Sequence, residues 1–148
     1  MQGGAKAARF TVPGEPCGKD RPRAALVAGH AMMYTSQKTR TYESVVRTEY
    51  ARQCLGIFFE KEEALRVEIR AYKTVPKSAS RKKAEGMLAG IIRPGKRPDA
   101  DNLAKAILDG LNGVAYHDDS QVVEAVVRKL YADKPFVSVE ITACGVNG

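Results

Sequence analysis

Apolar and polar positions along the chain repeat with two periods. Ala8, Phe10 and Val12 alternate with Arg9 and Thr11 until Pro13-Gly14 halts the run, and Leu65, Val67, Ile69 and Ala71 alternate with Arg66, Glu68, Arg70 and Tyr72. A period of two predicts half-buried strands in both places. Val122 to Tyr131 and Val137 to Ala143 predict two more, joined by the turn-forming Asp133-Lys134-Pro135. Leu26 to Tyr34, broken by Gly29-His30, predicts a loose hairpin. Elsewhere the helical period takes over: Tyr42, Val45, Val46 and Tyr50 predict a helix from about Thr39 to Cys54. Ser78 to about Leu88 predicts a short basic helix capped by Ser78 or Ser80, followed by a flexible Gly90 to Lys96 stretch.

The run Pro98-Asp99-Ala100-Asp101-Asn102-Leu103-Ala104-Lys105 opens a third helix, with Asp101 expected as its N-cap because a carboxylate accepts the unpaired first-turn N–H groups. At about 100° per residue, Asp101, Lys105, Asp109 and Asn112 fall within about 80° of one another, while Leu103, Ala104, Ile107, Leu108 and Leu111 take the other side. The helix is expected to stop at Asn112-Gly113. The order β, β, α, β, α, α, β, β predicts a single α/β (α+β) domain, a small mixed sheet, at least partly antiparallel, flanked by helices.

Composition adds bounds. A chain of 148 residues with 44% hydrophobic content forms one domain over residues 1–148, able to bury a core without disulfides or structural metal. Cys17, Cys54 and Cys144 are odd in number and lack a C-x-x-C pair, which predicts reduced thiols in a cytoplasmic protein rather than a disulfide framework or thiolate zinc site. Met1 to Phe10 has no apolar core segment, and no run of about 18 apolar residues occurs, so neither secretion nor membrane spanning is expected.

Charge changes the picture more. The net charge of +7 hides an asymmetry: residues 1–98 carry +11, whereas residues 99–148 carry −4. A basic body attracts polyanions, and a tight acidic focus within it attracts cations. The short Val114 to His117 connection returns the chain to Asp118-Asp119, and a tight return brings one of them beside Asp99 and Asp101. Carboxylates so gathered repel one another unless a cation neutralises them, and Mg²⁺, which binds few carboxylates and keeps positions for water or phosphate oxygens, suits that role. Lys105, one turn from Asp101, adds a fixed positive charge.

Each feature also has a plain structural explanation. Asp101 can simply cap a helix, Asp101 and Lys105 can form a surface pair contributing about 0.3 kcal/mol, and Asp118-Asp119 can be a turn. A calcium loop is excluded, because Leu103-Ala104 stands where it needs a ligand and then Gly. A His-Asp phosphohydrolase built on His117 would lack ligands, since His30 is the other histidine of the two.

The run Arg97-Pro98-Asp99-Ala100-Asp101-Asn102-Leu103-Ala104-Lys105, then Leu108-Asp109-Gly110-Leu111-Asn112-Gly113, then Asp118-Asp119-Ser120-Gln121-Val122, resembles the signature of the RusA-type Holliday-junction resolvases of bacteria and their phages. Val12-Pro13-Gly14, Lys19-Asp20-Arg21-Pro22-Arg23 and Tyr34-Thr35 resemble that family's N-terminal pattern, so the likeness spans most of the chain. The resemblance implies a homodimeric, Mg²⁺-dependent endonuclease that resolves four-way DNA junctions. It implies Asp99, Asp101 and Asp119 as metal-binding and catalytic carboxylates, Asp118 as the less certain half of its pair, and Lys105 as a base-like or electrostatic partner. Gly110 departs from the Ala usual in the family, a change expected only to weaken the helix by under about 1 kcal/mol.

DNA contacts are expected from Lys19, Arg21, Arg23, Lys96, Arg97 and the Arg81-Lys82-Lys83 run. Tyr34, Tyr42, Phe58 and Phe59 are candidates for stacking on bases or wedging a junction open, though aromatic residues at such spacing are more often core or dimer contacts. The rival readings are a non-catalytic, basic junction-binding or architectural DNA protein, and a metal phosphohydrolase acting on nucleotides.

Overall fold

A computed structural model describes residues 6–20, 23–34 and 36–146, with side chains at all of these except 23–25, 27, 32–34, 145 and 146. Alternation produces the strands. In β1 (Ala7–Pro13), β4 (Glu63–Thr74) and β6 (Phe136–Val146), the buried side chains are every second residue: Ala8, Phe10 and Val12; Leu65, Val67, Ile69 and Ala71; Val137, Val139 and Ile141. With β5 (Val122–Ala132) they form a four-stranded mixed sheet of order β1-β6-β4-β5, in which β4 and β5 run parallel and the other pairs antiparallel. The consecutive strands β5 and β6 do not pair, because β4 lies between them. The sheet's other face carries charges, including Arg9, Glu68, Arg70 and Glu140, beside the stacked rings of Tyr72 and Phe136. The hairpin is a separate two-stranded sheet, β2 (Arg23–Val27) with β3 (His30–Tyr34). Its turn falls at Ala28-Gly29, both with positive φ (51° and 81°), the geometry that matches strand twist in two-residue hairpins.

Helix α1 (Gln37–Gln53) starts at Ser36, whose Oγ accepts the Thr39 N–H at 3.2 Å, and buries Thr39, Tyr42, Val46 and Tyr50. Tyr50 packs edge-on against Phe10 with ring centroids 5.3 Å apart, which fixes α1 on β1. Tyr42 and Phe59 are core residues rather than base-stacking candidates, while Phe58 makes an edge contact with the His117 ring. Helix α2 (Arg81–Leu88), capped by Ser80, buries none of its residues. The stretch after it, expected to be flexible, is fastened: the Ile91 and Ile92 N–H groups donate to the Gly86 carbonyl at 2.9 and 3.0 Å, and Lys129 Nζ donates to the Lys96 carbonyl. No helix among the described residues is long and apolar enough to cross a membrane.

Helix α3 (Ala100–Leu111) is amphipathic as its pattern requires, but its buried stripe is Leu103, Ala106, Ile107, Gly110 and Leu111. Gly110 marks where α1 comes close. A methyl group built on Gly110 would stand 3.0 Å from Val46 Cβ and 3.2 Å from the Glu43 carbonyl oxygen. Gly110 is therefore more than a weak helix former: its missing side chain lets α3 approach α1 closely enough for Lys19 to reach both Glu43 and Asp109.

After α3 the chain turns through Tyr116, fully buried, whose hydroxyl donates to the Leu108 carbonyl at 2.8 Å. A single 3₁₀ turn, Asp119–Gln121, follows. Gln121 is buried and ties this corner together. Its Oε1 accepts the N–H groups of His117 (2.9 Å) and Asp118 (3.1 Å), and its Nε2 donates to the carbonyls of Glu60 (2.8 Å) and Glu63 (3.1 Å).

Two stability predictions follow from this packing. Helix propensity alone favours Gly110→Ala by about 1 kcal/mol, but crowding a buried, β-branched Val46 costs about 1–3 kcal/mol, so the variant should unfold at lower temperature than the parent. Gln121→Ala strands four backbone groups; at about 1–3 kcal/mol for a buried group left unpaired, and with water relieving part of the loss, a decrease of about 2–4 kcal/mol is expected in urea unfolding at unchanged m-value.

Candidate active site

The N-terminus of α3 carries the first two aspartates. Asp99, still extended at φ −68° and ψ 150°, stands at the N-cap, and its carboxylate makes no capping hydrogen bond. Asp101, expected as the cap, lies in the first turn, where its Oδ1 accepts the Asn102 N–H at 2.9 Å. Ala100 accounts for the difference: a good helix former directly after Asp99 starts the helix earlier and moves Asp101 inside it, where the helix dipole still favours a negative charge.

Lys105 does not pair with Asp101. Its ammonium lies 3.1 Å from Asp109 Oδ1, one turn onward, and 3.7 Å from Asp119 Oδ2 on the 3₁₀ corner. Asp109 has a second cation: Lys19 Nζ is 2.9 Å from its Oδ2 and 2.7 Å from Glu43 Oε2 on α1. Charges of alternating sign thus run Glu43, Lys19, Asp109, Lys105, Asp119 across three elements. The hydrogen bond to Asp109, reinforced by its charge and that of Asp119, raises the Lys105 pKa. Burial pulls Lys19 down, but its hydrogen bonds to Glu43 and Asp109 outweigh that, so it too lies above the usual lysine value. Both remain ammonium ions at neutral pH. Tyr116 lies behind this row, its pKa raised by burial and by the charges of Asp119, Asp109 and Asp118. Asp118 caps the 3₁₀ turn by accepting the Ser120 N–H at 2.9 Å, and hydrogen bonding from the Ser120 side chain, then from its N–H, lowers the Asp118 pKa.

Asp119 thus meets α3 through Lys105. Among the described residues, no group of three or more His, Cys, Asp or Glu side chains is close enough to hold a metal ion by itself. The donors are nonetheless of one kind. Among the described residues Asp99 accepts no hydrogen bond through its carboxylate, and Asp101 accepts only the adjacent Asn102 N–H, so both keep free oxygen lone pairs. Open carboxylates without thiolate or imidazole suit a hard divalent cation that completes its shell with water or substrate oxygens.

Asp99 also lines a groove of about 820 Å³ with Lys19, Lys38, Lys73, Arg97 and Asn102. Lys73 Nζ donates to the Arg97 carbonyl at 3.1 Å, whereas Arg97 and Lys38 make no ion pair among the described residues. Of the residues expected to contact DNA, Arg97 and Lys19 line the groove, and Lys19 is held internally. Lys96 is exposed beside it. Arg81, Lys82 and Lys83 lie exposed on α2, which packs along β5, and Arg81 pairs with Glu85 at 3.6 Å. Arg21 lies outside the described residues, as does the side chain of Arg23. Sequence reasoning passed over Glu43, Lys38, Lys73 and the structural part played by Gln121. The Lys105–Asp109 pair has a readable i, i+4 spacing; the Lys19–Glu43 pair, from a loop to a helix, has no periodic signal.

The family profile for endodeoxyribonuclease RusA matches residues 13–142. The chain is also 34% identical over 135 residues to "Uncharacterized protein YqaN" of Bacillus subtilis (strain 168), covering 90% of this chain and 94% of that protein. The matched span runs from before the Lys19 loop to beyond the Asp119 corner and takes in every member of the charged row; the chain belongs to the RusA endodeoxyribonuclease family, metal-dependent hydrolases of DNA phosphodiester bonds.

Proposed function

We propose that the protein resolves four-way DNA junctions by paired, symmetric phosphodiester hydrolysis, with Mg²⁺ as its cation. The observation that carries this reading is the placement of Lys105: one ammonium group, a turn beyond Asp101, reaches Asp119 at 3.7 Å and links two parts of the motif that are far apart in the chain. Asp99, Asp101 and Asp119 would hold the cation, with Asp118 as the alternative to Asp119. Bound there, Mg²⁺ supplies Lewis-acid polarisation of the scissile phosphate and of the attacking water. The ammonium of Lys105 stabilises the negative charge that builds on the phosphate oxygens as the bond breaks. Arg97 and Lys38, on the wall of the Asp99 groove, attract the flanking phosphates. Two copies related by a twofold axis would present two sites to opposed strands of a junction with the same symmetry.

Purified protein incubated with an immobile four-way junction is expected to produce paired symmetric nicks with Mg²⁺ and none with EDTA, while linear duplex stays intact. Asp101→Asn should abolish cleavage and retain junction binding, because the charge it removes faces a cation rather than DNA. Junction binding without cleavage under any divalent cation would favour an architectural protein. Cleavage by Asp101→Asn at the parental rate would remove that residue from the site.

A further inference from the structure

We infer that Lys19 and Asp109 are positioning residues that aim Lys105, and that Lys19 is not a DNA contact; this rests on the reading of Lys105 as the electrostatic partner in cleavage. Asp109 divides its two oxygens between two cations, Oδ2 to Lys19 at 2.9 Å and Oδ1 to Lys105 at 3.1 Å. The division matters because Lys105 is then tethered on one side and stands 3.7 Å from Asp119, near enough for attraction and too far for a direct hydrogen bond. Asp119 keeps its lone pairs for a cation, and Lys105 keeps ammonium protons for a phosphate oxygen.

Lys19 is built to hold this arrangement. Its side chain is only 18% exposed and contacts carboxylates on two helices, Glu43 on α1 and Asp109 on α3. Its backbone N–H donates to the Asn102 carbonyl of α3 at 2.9 Å. Gly18 makes that docking possible, since a methyl group there would stand 2.9 Å from Pro98 Cβ and 3.1 Å from Asn102 Cβ. Without the Lys19 charge, Glu43 and Asp109 would be half-buried like charges facing each other, and Asp109 would draw Lys105 away from the corner. Without Asp109, Lys105 would close on Asp119 and occupy the oxygens a cation needs. A largely buried lysine that gives two of its three N–H donors to internal carboxylates has less to offer a DNA backbone than Lys38 or Arg97, which make no ion pair among the described residues.

The test compares Lys19→Met, Lys19→Arg, Asp109→Asn, Lys105→Met and the Lys19→Met/Lys105→Met double variant. Single-turnover junction cleavage with Mg²⁺, junction affinity in EDTA across a salt series, and thermal stability are measured for each. Lys19→Met and Asp109→Asn should slow cleavage about 10- to 100-fold, the range for losing a group that orients a reacting one, with junction Kd and its salt slope unchanged. Lys19→Arg should recover most of the rate, and the double variant should be no slower than Lys105→Met alone. If Asp109→Asn does not fold, Lys19→Arg and the double variant still decide. Full-rate cleavage by Lys19→Met overturns the inference, as does a weaker junction affinity with a salt slope reduced by about one, the mark of a lost phosphate contact. Multiplying effects of Lys19→Met and Lys105→Met overturn it too. Failure of the underlying reading looks different: the parent protein would cut no junction, or Lys105→Met would cut at the parental rate.

Discussion

The ammonium of Lys105, shared between Asp109 on its own helix and Asp119 on the following corner, is the interaction on which the site depends. Lys105 itself is 57% exposed, but the charges around it are sheltered and behave unlike surface pairs. Arg81 and Glu85 on α2 are largely solvated, and such a pair contributes about 0–1 kcal/mol. In the row from Glu43 to Asp119, four of the five side chains are less than 30% exposed, so each has lost hydration that only its neighbours replace. Breaking one link leaves an uncompensated charge in a poorly hydrated place, which makes the row act as a unit.

Packing of small and apolar residues sets the distances along that row. Gly110 brings α3 against Val46 of α1, which puts Asp109 within reach of a lysine that also contacts Glu43. Gly18 allows the Lys19 loop to press on the start of the same helix. Tyr116 and Gln121, both buried, hold the corner where Asp119 stands. The catalytic reading of the aspartates therefore rests on glycines and buried amides as much as on the carboxylates themselves.

The strands and helices were legible because period-two and helical patterns reflect local backbone geometry, and each predicted element is present near its expected bounds. Sheet order was not legible: nothing in Asp133-Lys134-Pro135 distinguishes a turn between paired strands from one that crosses over β4. The cap of α3 lies at Asp99, two residues before the expected Asp101: both are good cap residues, and the helix-forming Ala100 between them tips the start to the earlier one. Charge and spacing identified Lys105 and the aspartates as candidates, and also suggested DNA contact for Lys19. The internal commitment of Lys19 depends on a contact between residues 24 apart on different elements, which no pattern along the chain encodes.

The most direct measurement is anomalous diffraction from crystals of the protein with junction DNA soaked in Mn²⁺. The account predicts one peak beside Lys105 with carboxylate oxygens from both the Asp99-Asp101 end and the Asp119 corner at about 2.0–2.2 Å, the range for a small hard cation. A peak held by one of these groups alone, or none at the cleavage site, would contradict it.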